Sequence, residues 1–199
     1  MKNLAIICVF GVFLFSCSKE NDSSSNANSN NNIVSDDLHI SWKTPDWQYN
    51  LQCNDLDFIP DTNPTGNRYF VRATSLSTNE KFAFFYPKDS SEIVKATTLG
   101  KYPIKAYSSF IEPDGSGEFF QFLQGIPITH GNSERIYSKG GFDSDQYNEV
   151  VSIKYLERVD NFALFLVKCR YSMKMALSDG TSEKLVTGDF TFKIHADRN

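Results

Sequence analysis

The chain has 199 residues, with 20 basic against 24 acidic side chains and a net charge of −4. This mildly acidic balance, with no basic stripe, excludes nucleic acid as an expected partner. Three histidines, two tryptophans and four cysteines leave few side chains for metal or nucleophilic chemistry.

The first element is an apolar run, Leu4–Phe15, preceded by Lys2. It is about a dozen residues long, short of the roughly twenty that span a bilayer. A positive start and a short apolar core are the plan of a secretory signal. Leu14, Phe15 and Ser16 before Cys17 resemble a bacterial lipobox. That resemblance implies a signal peptide over residues 1–16 and lipidation of Cys17. Each buried methylene contributes about 0.8 kcal/mol, so two or three acyl chains hold the protein on a membrane. Ser18-Lys19-Glu20-Asn21-Asp22 resembles the short acidic export signal of Bacteroidota lipoproteins. It implies the outer membrane, with the protein facing the cell exterior.

Ser23–Asn32 reads SSSNANSNNN and has no large apolar side chain to offset the entropy of ordering. Residues 17–37 are therefore expected to form a lipidated, disordered tether, with an r.m.s. reach on the order of 25 Å. Residues 38–199 suit a single domain.

Within it the dominant period is two, the mark of half-buried antiparallel strands. Strands are predicted at Leu38–Lys43, Trp47–Cys53, Arg68–Ser75, Lys81–Tyr86, Lys101–Ala106, Glu118–Gln124, Arg135–Ser138 and Glu149–Leu156. A longer one spans Phe162–Met175. Its Ala163, Phe165, Val167, Cys169, Tyr171, Met173 and Met175 share one face. The opposite face begins apolar at Phe162, Leu164 and Leu166, which predicts a stretch covered on both sides. It turns polar at Lys168, Arg170, Ser172 and Lys174. A last strand alternates Phe190, Phe192 and Ile194 with polar residues. Turn signals fall at Asn63-Pro64-Thr65-Gly66, Pro113-Asp114-Gly115, Gly140-Gly141 and Ser178-Asp179-Gly180. The helix-like window is Ser90–Thr97. Many short strands imply an all-β, antiparallel β-sandwich, with a lipocalin-like β-barrel as the alternative.

Cys53 and Cys169 remain after signal removal and lipidation, and both sit on apolar strand faces. Outside the cytoplasm such a pair tends to oxidise. A disulfide between them would close a long loop, worth up to about 4.7 kcal/mol in the chain-entropy model. The alternative is two buried thiols acting as small apolar side chains.

No catalytic constellation emerges. His39, His130 and His195 lack metal-ligand spacing and read as surface or turn residues. Ser116, in Gly115-Ser116-Gly117, sits in a hairpin loop and not a nucleophile elbow. No phosphate loop or dinucleotide fingerprint calls for a cofactor. Asp143-Ser144-Asp145 offers oxygens of the kind calcium uses, without EF-hand spacing. A polar loop has the same composition, and no metal is assigned. The remaining signal is Trp42, Trp47 and Tyr49. Exposed aromatic faces of this kind stack on sugar rings, so these three are the candidate ligand-binding residues, with strand packing as the alternative.

Gly100-Lys101-Tyr102, the Val150-Val151-Ser152-Ile153 strand and the long Phe162–Met175 strand resemble a family of uncharacterised β-rich Bacteroidota surface lipoproteins. Members tend to carry Gly-Thr-Phe in the long strand, where this chain has Val167-Lys168-Cys169-Arg170-Tyr171. The family implies no activity. The expected role is a non-catalytic, lipid-anchored surface module for an extracellular ligand such as a glycan. The alternative is an accessory subunit of an outer-membrane protein complex. If Cys17 is the anchor, a clickable fatty acid fed to producing cells will label the wild-type protein and leave Cys17→Ser unlabelled. Equal labelling of both would place the lipid elsewhere.

Overall fold

The computed structural model describes residues 34–60, 66–75, 80–110 and 118–198. Chain contacts divide the protein into Met1–Asn32 and Ile33–Asn199, and the described residues all belong to the second unit. The expected signal segment, Cys17, most of the expected tether, Asn63–Thr65 and Pro113–Ser116 lie outside them.

The described chain is mostly antiparallel β, as the alternation implies. Its strands are β1 (His39–Lys43), β2 (Gln48–Gln52), β3 (Asp57–Phe58), β4 (Arg68–Thr74), β5 (Lys81–Pro87), β6 (Gly100–Tyr102), β7 (Phe122–Pro127), β8 (Arg135–Ser138), β9 (Tyr147–Val159), β10 (Phe162–Ala176) and β11 (Lys184–Asp197). All join one sheet, with the main order β2-β1-β11-β10-β8-β7-β5-β4. One short helix, α1 (Ser90–Ile93), is capped by the Asp89 carboxylate, which accepts the Ser91 N–H. A 3-10 turn, Ala96–Thr98, follows. Together they fill the helix-like window.

β10 organises the sheet. One edge pairs with β11 from Phe162 to Met175. The other pairs with β9 as far as Ser172 and with β8 at Met175 and Ala176. This change of partner sends β8, β7, β5 and β4 away from the plane of β9. Their inner face then meets β11. The Phe82 ring stacks on Phe192 with centroids 5.1 Å apart, and Phe84 meets Phe190 edge-on at 5.2 Å. Phe122 lies 4.8 Å from Phe190. These rings are buried, and such pairs contribute about 0.5–1.5 kcal/mol each beyond area burial. The curl also brings the end of β5 back to the end of β11. There the Asp197 N–H donates to the Lys88 carbonyl at 2.8 Å, and the Tyr69 hydroxyl donates to the Asp197 carboxylate at 2.6 Å.

The face assignment of β10 holds. Ala163, Phe165, Val167, Cys169, Tyr171, Met173 and Met175 are all buried in the core, and Leu164 and Leu166 are buried on the opposite face. Part of that outer face is covered by residues read from sequence as the end of the tether. Val34 is itself buried. The Lys168 ammonium donates to the Val34 carbonyl at 2.9 Å and pairs with Asp36. The Thr191 hydroxyl donates to the Ser35 carbonyl at 2.7 Å. The packed domain thus begins at least four residues before Leu38, because Lys168 and Thr191 supply polar partners to otherwise bare backbone.

Several strand limits differ from the periodicity, those of β7 and β9 among them. β6 stops at Tyr102 because Pro103 has no N–H for the ladder. β7 starts at Phe122 and not Glu118, because Phe120 has φ 57° and breaks the extended chain. β3, two residues paired in parallel with β11, is too short for any period to show.

The expected disulfide does not form. Cys53 follows β2 and Cys169 lies in β10, with β1 and β11 between. Three strand spacings are about 14 Å, while a disulfide needs Cα atoms within about 7 Å. Cys169 is buried, and desolvation pushes its thiol far above the ordinary range, against a contact from the Asn148 amide. Alkylation of the native protein will therefore modify Cys53 and spare Cys169. Both will react after denaturation without reductant. An intact mass showing the loss of two protons would refute this arrangement.

Candidate functional site

The β1–β2 hairpin assembles the aromatic residues singled out above. Its turn is held by buried Thr44, whose hydroxyl accepts the N–H groups of Asp46 at 3.1 Å and Trp47 at 3.0 Å. In the ladder Trp42 stands opposite Tyr49, so their rings lie side by side with centroids 5.2 Å apart. Trp47 meets Trp42 edge-on at 5.7 Å.

The three have different fates. Trp42 shares a strand face with Ile40 and is only 1 % exposed. It is core and cannot itself touch a ligand, which corrects the expectation of an exposed ring. Its indole N–H has no partner among the described residues. Trp47 and Tyr49 are half-buried. A residue that sequence reading set aside joins them: the exposed His130 ring lies 5.9 Å from Trp47 and 6.1 Å from Tyr49. The turn carrying His130 is fastened at Ile128, whose carbonyl accepts both the Trp47 indole N–H at 3.2 Å and the Lys184 ammonium at 3.0 Å. Lys184 also pairs with Asp46. Trp47, Tyr49 and His130 thus form a partly open aromatic face, buttressed from below by Trp42 and edged by an ion pair.

Beneath the hairpin runs a buried polar chain. Tyr171 packs on Gly188, where an added Cβ would collide with the Tyr171 hydroxyl and the Ser41 carbonyl. That hydroxyl lies 2.8 Å from the Ser41 carbonyl and 2.9 Å from Gln124 Oε1. The Gln124 amide donates to Glu80 at 2.6 Å. Glu80 is 1 % exposed. Desolvation pushes its carboxyl up to about 8, against the opposing bond from Gln124, so it is protonated at neutral pH.

A second polar group lies on the outer face. His39 Nδ1 meets the Asp37 carbonyl at 2.7 Å, and Nε2 meets Asp189 at 2.8 Å. Both partners accept, an arrangement that favours the doubly protonated, cationic ring. Burial opposes that charge but is outweighed, and the imidazole is raised from its ordinary value. Burial also opposes the Asp189 charge. The bonds from His39 and Ser41 outweigh it and hold the carboxyl low. Here Asp189 bridges Ser41 and His39. A nucleophilic serine needs its base in direct contact, and this order does not provide it. His195 similarly pairs with Asp57 at 2.9 Å.

In the Asp143–Asp145 loop, one Asp143 oxygen accepts the Asp145 N–H and the other pairs with Lys174, both at 2.8 Å. Among the described residues no cluster of three His, Cys, Asp or Glu side chains is placed to hold a metal ion. No known protein family, curated protein or solved structure matches the chain.

Glu80 generates a prediction about pH. Its native pKa lies above the ordinary carboxyl value, so the native state keeps a proton that the unfolded chain releases. Stability from this group is therefore lost as pH rises from about 4.5 to about 8. Glu80→Gln will melt several degrees above the wild type at pH 8, on the order of a few kcal/mol. The gap will narrow toward pH 4.5. A pH-independent difference would mean that Glu80 is not protonated in the native core.

Proposed function

We propose that this protein is a lipid-anchored, surface-exposed binding module whose domain recognises an extracellular glycan through Trp47, Tyr49 and His130. The observation that carries the reading is the partly open aromatic face on a buried tryptophan. Sugar rings stack their C–H faces on such side chains, and the polar edge of the site meets the hydroxyls. Here that edge includes the Asp46–Lys184 pair. Rigid support matters because a ring already held in place loses little entropy on binding. Trp42 below and the Ile128 carbonyl beside Trp47 supply that support.

The address rests on Leu4–Cys17 and on Ser18–Asp22. Anchorage by lipid leaves the domain on the membrane surface, where polysaccharide is encountered. A second reading is an accessory subunit docked on an outer-membrane protein. It is favoured by Val94 and Leu99, which are 62 % and 54 % exposed near α1.

The test is a glycan array probed with the full-length lipidated chain in detergent, followed by titration of the best binder. Trp47→Ala is expected to weaken that interaction at least about tenfold, or 1.4 kcal/mol, in protein that remains folded by circular dichroism. An array with no retained glycan would overturn the reading. Recovery of a stoichiometric outer-membrane protein from cross-linked cells would move the assignment to the accessory subunit.

A further inference from the structure

A cleft of about 310 Å³ opens between the α1 segment and the start of β7. This is within the range of small-molecule sites. Half-buried Tyr102 and Phe119 give it an aromatic floor, with the buried Phe120 ring packed behind them, and its rim carries Glu92, Lys95 and Glu118. Neither tryptophan contributes.

The floor depends on a strained residue. Phe119 and Phe120 are neighbours in sequence, and extended backbone would point their rings to opposite sides. Both line the cleft because Phe120 adopts φ 57°, a region that bulky side chains avoid. The fold holds it there. Buried Asn148 donates its amide to the Phe120 carbonyl at 2.8 Å. The Phe120 ring is wedged against Tyr102 at 5.1 Å and Phe84 at 6.1 Å. Strain of this kind persists only where the surroundings over-determine it, and it concentrates at binding sites.

The rim narrows the ligand class. Lys95 pairs with Glu92 at 2.5 Å. The Glu118 carboxylate accepts the Gln121 amide at 2.7 Å, and Arg68 reaches the Glu118 carbonyl at 3.5 Å. An anionic ligand would face two carboxylates, and a cationic one would face Lys95. A neutral polyhydroxylated ring meets neither penalty. Its hydroxyls can donate to the carboxylates and accept from Lys95, while its C–H face lies on the aromatic floor. We propose that this cleft is a second carbohydrate site, seating one neutral sugar ring. The proposal rests on the glycan reading above and assigns a site separate from the Trp47 face.

The experiment uses the two tryptophans as a spatial reporter, since both belong to the β1–β2 hairpin. Methyl glycosides of glucose, galactose, mannose and N-acetylglucosamine are titrated into the full-length lipidated protein in detergent. Binding is read by saturation-transfer NMR, and tryptophan emission is followed in parallel. The expected result is saturable transfer from at least one glycoside with a component that leaves tryptophan emission unchanged. Phe119→Ala and Glu118→Gln should each weaken it about tenfold or more. Glu118→Gln, an isosteric change at an exposed residue, keeps the test decisive if Phe119→Ala unfolds. Binding that shifts tryptophan emission and ignores both substitutions would overturn the cleft and leave the Trp47 reading standing. No saturable glycoside signal, together with an array retaining no glycan, would overturn both.

Discussion

β9 stops pairing with β10 at Ser172, but β10 runs on to Ala176. The leftover edge is taken by β8, and the curl of the sheet follows from that exchange. A flat continuation would leave the apolar faces of β5 and β7 in water. Turning them back onto β11 buries Phe82, Phe84 and Phe122 against Phe190 and Phe192. The alternation of β11 places Phe190 and Phe192 on one face, with rings 4.3 Å apart. They act as a spine on which the returning strands are laid.

Curling also encloses polar groups that must find partners inside. Tyr171, Gln124 and Glu80 are linked in series, and the series ends on the Ser41 carbonyl of β1, while Glu80 Oε2 has no hydrogen-bond partner among the described residues. Gly188 makes room for it, because any side chain there would displace the Tyr171 hydroxyl. Burying an unpaired carboxylate would be expensive, and a neutral Glu80 avoids that cost. The same arrangement ties β10, β7 and β5 to the hairpin carrying Trp47 and Tyr49. The proposed ligand face is therefore fixed by the core and not by its own turn alone.

The outer face of β10 and β11 holds the first described residues of the chain. Lys168, Thr191 and the His39–Asp189 pair hold Val34–Asp37 against the sheet. In the lipid-anchored reading, pull from the membrane would be borne first by these bonds.

Local pattern was enough to establish the all-β class, most strand positions and both faces of β10. Side-chain direction in a strand depends only on parity, which neighbouring residues reveal. Parity also places Trp42 with Ile40 on the buried face, so its role was legible in HISWK. Tertiary structure decided the rest, because alternation says which face a residue shares and not how many strands separate two such residues. Cys53 and Cys169 both face apolar neighbours, yet two strands lie between them. His130 reaches Trp47 only through the turn after β7, and Phe119 and Phe120 share a cleft only because Asn148 holds a conformation that local preference opposes. Those outcomes depend on contacts between distant segments, and the order in which strands pair across β10 sets them.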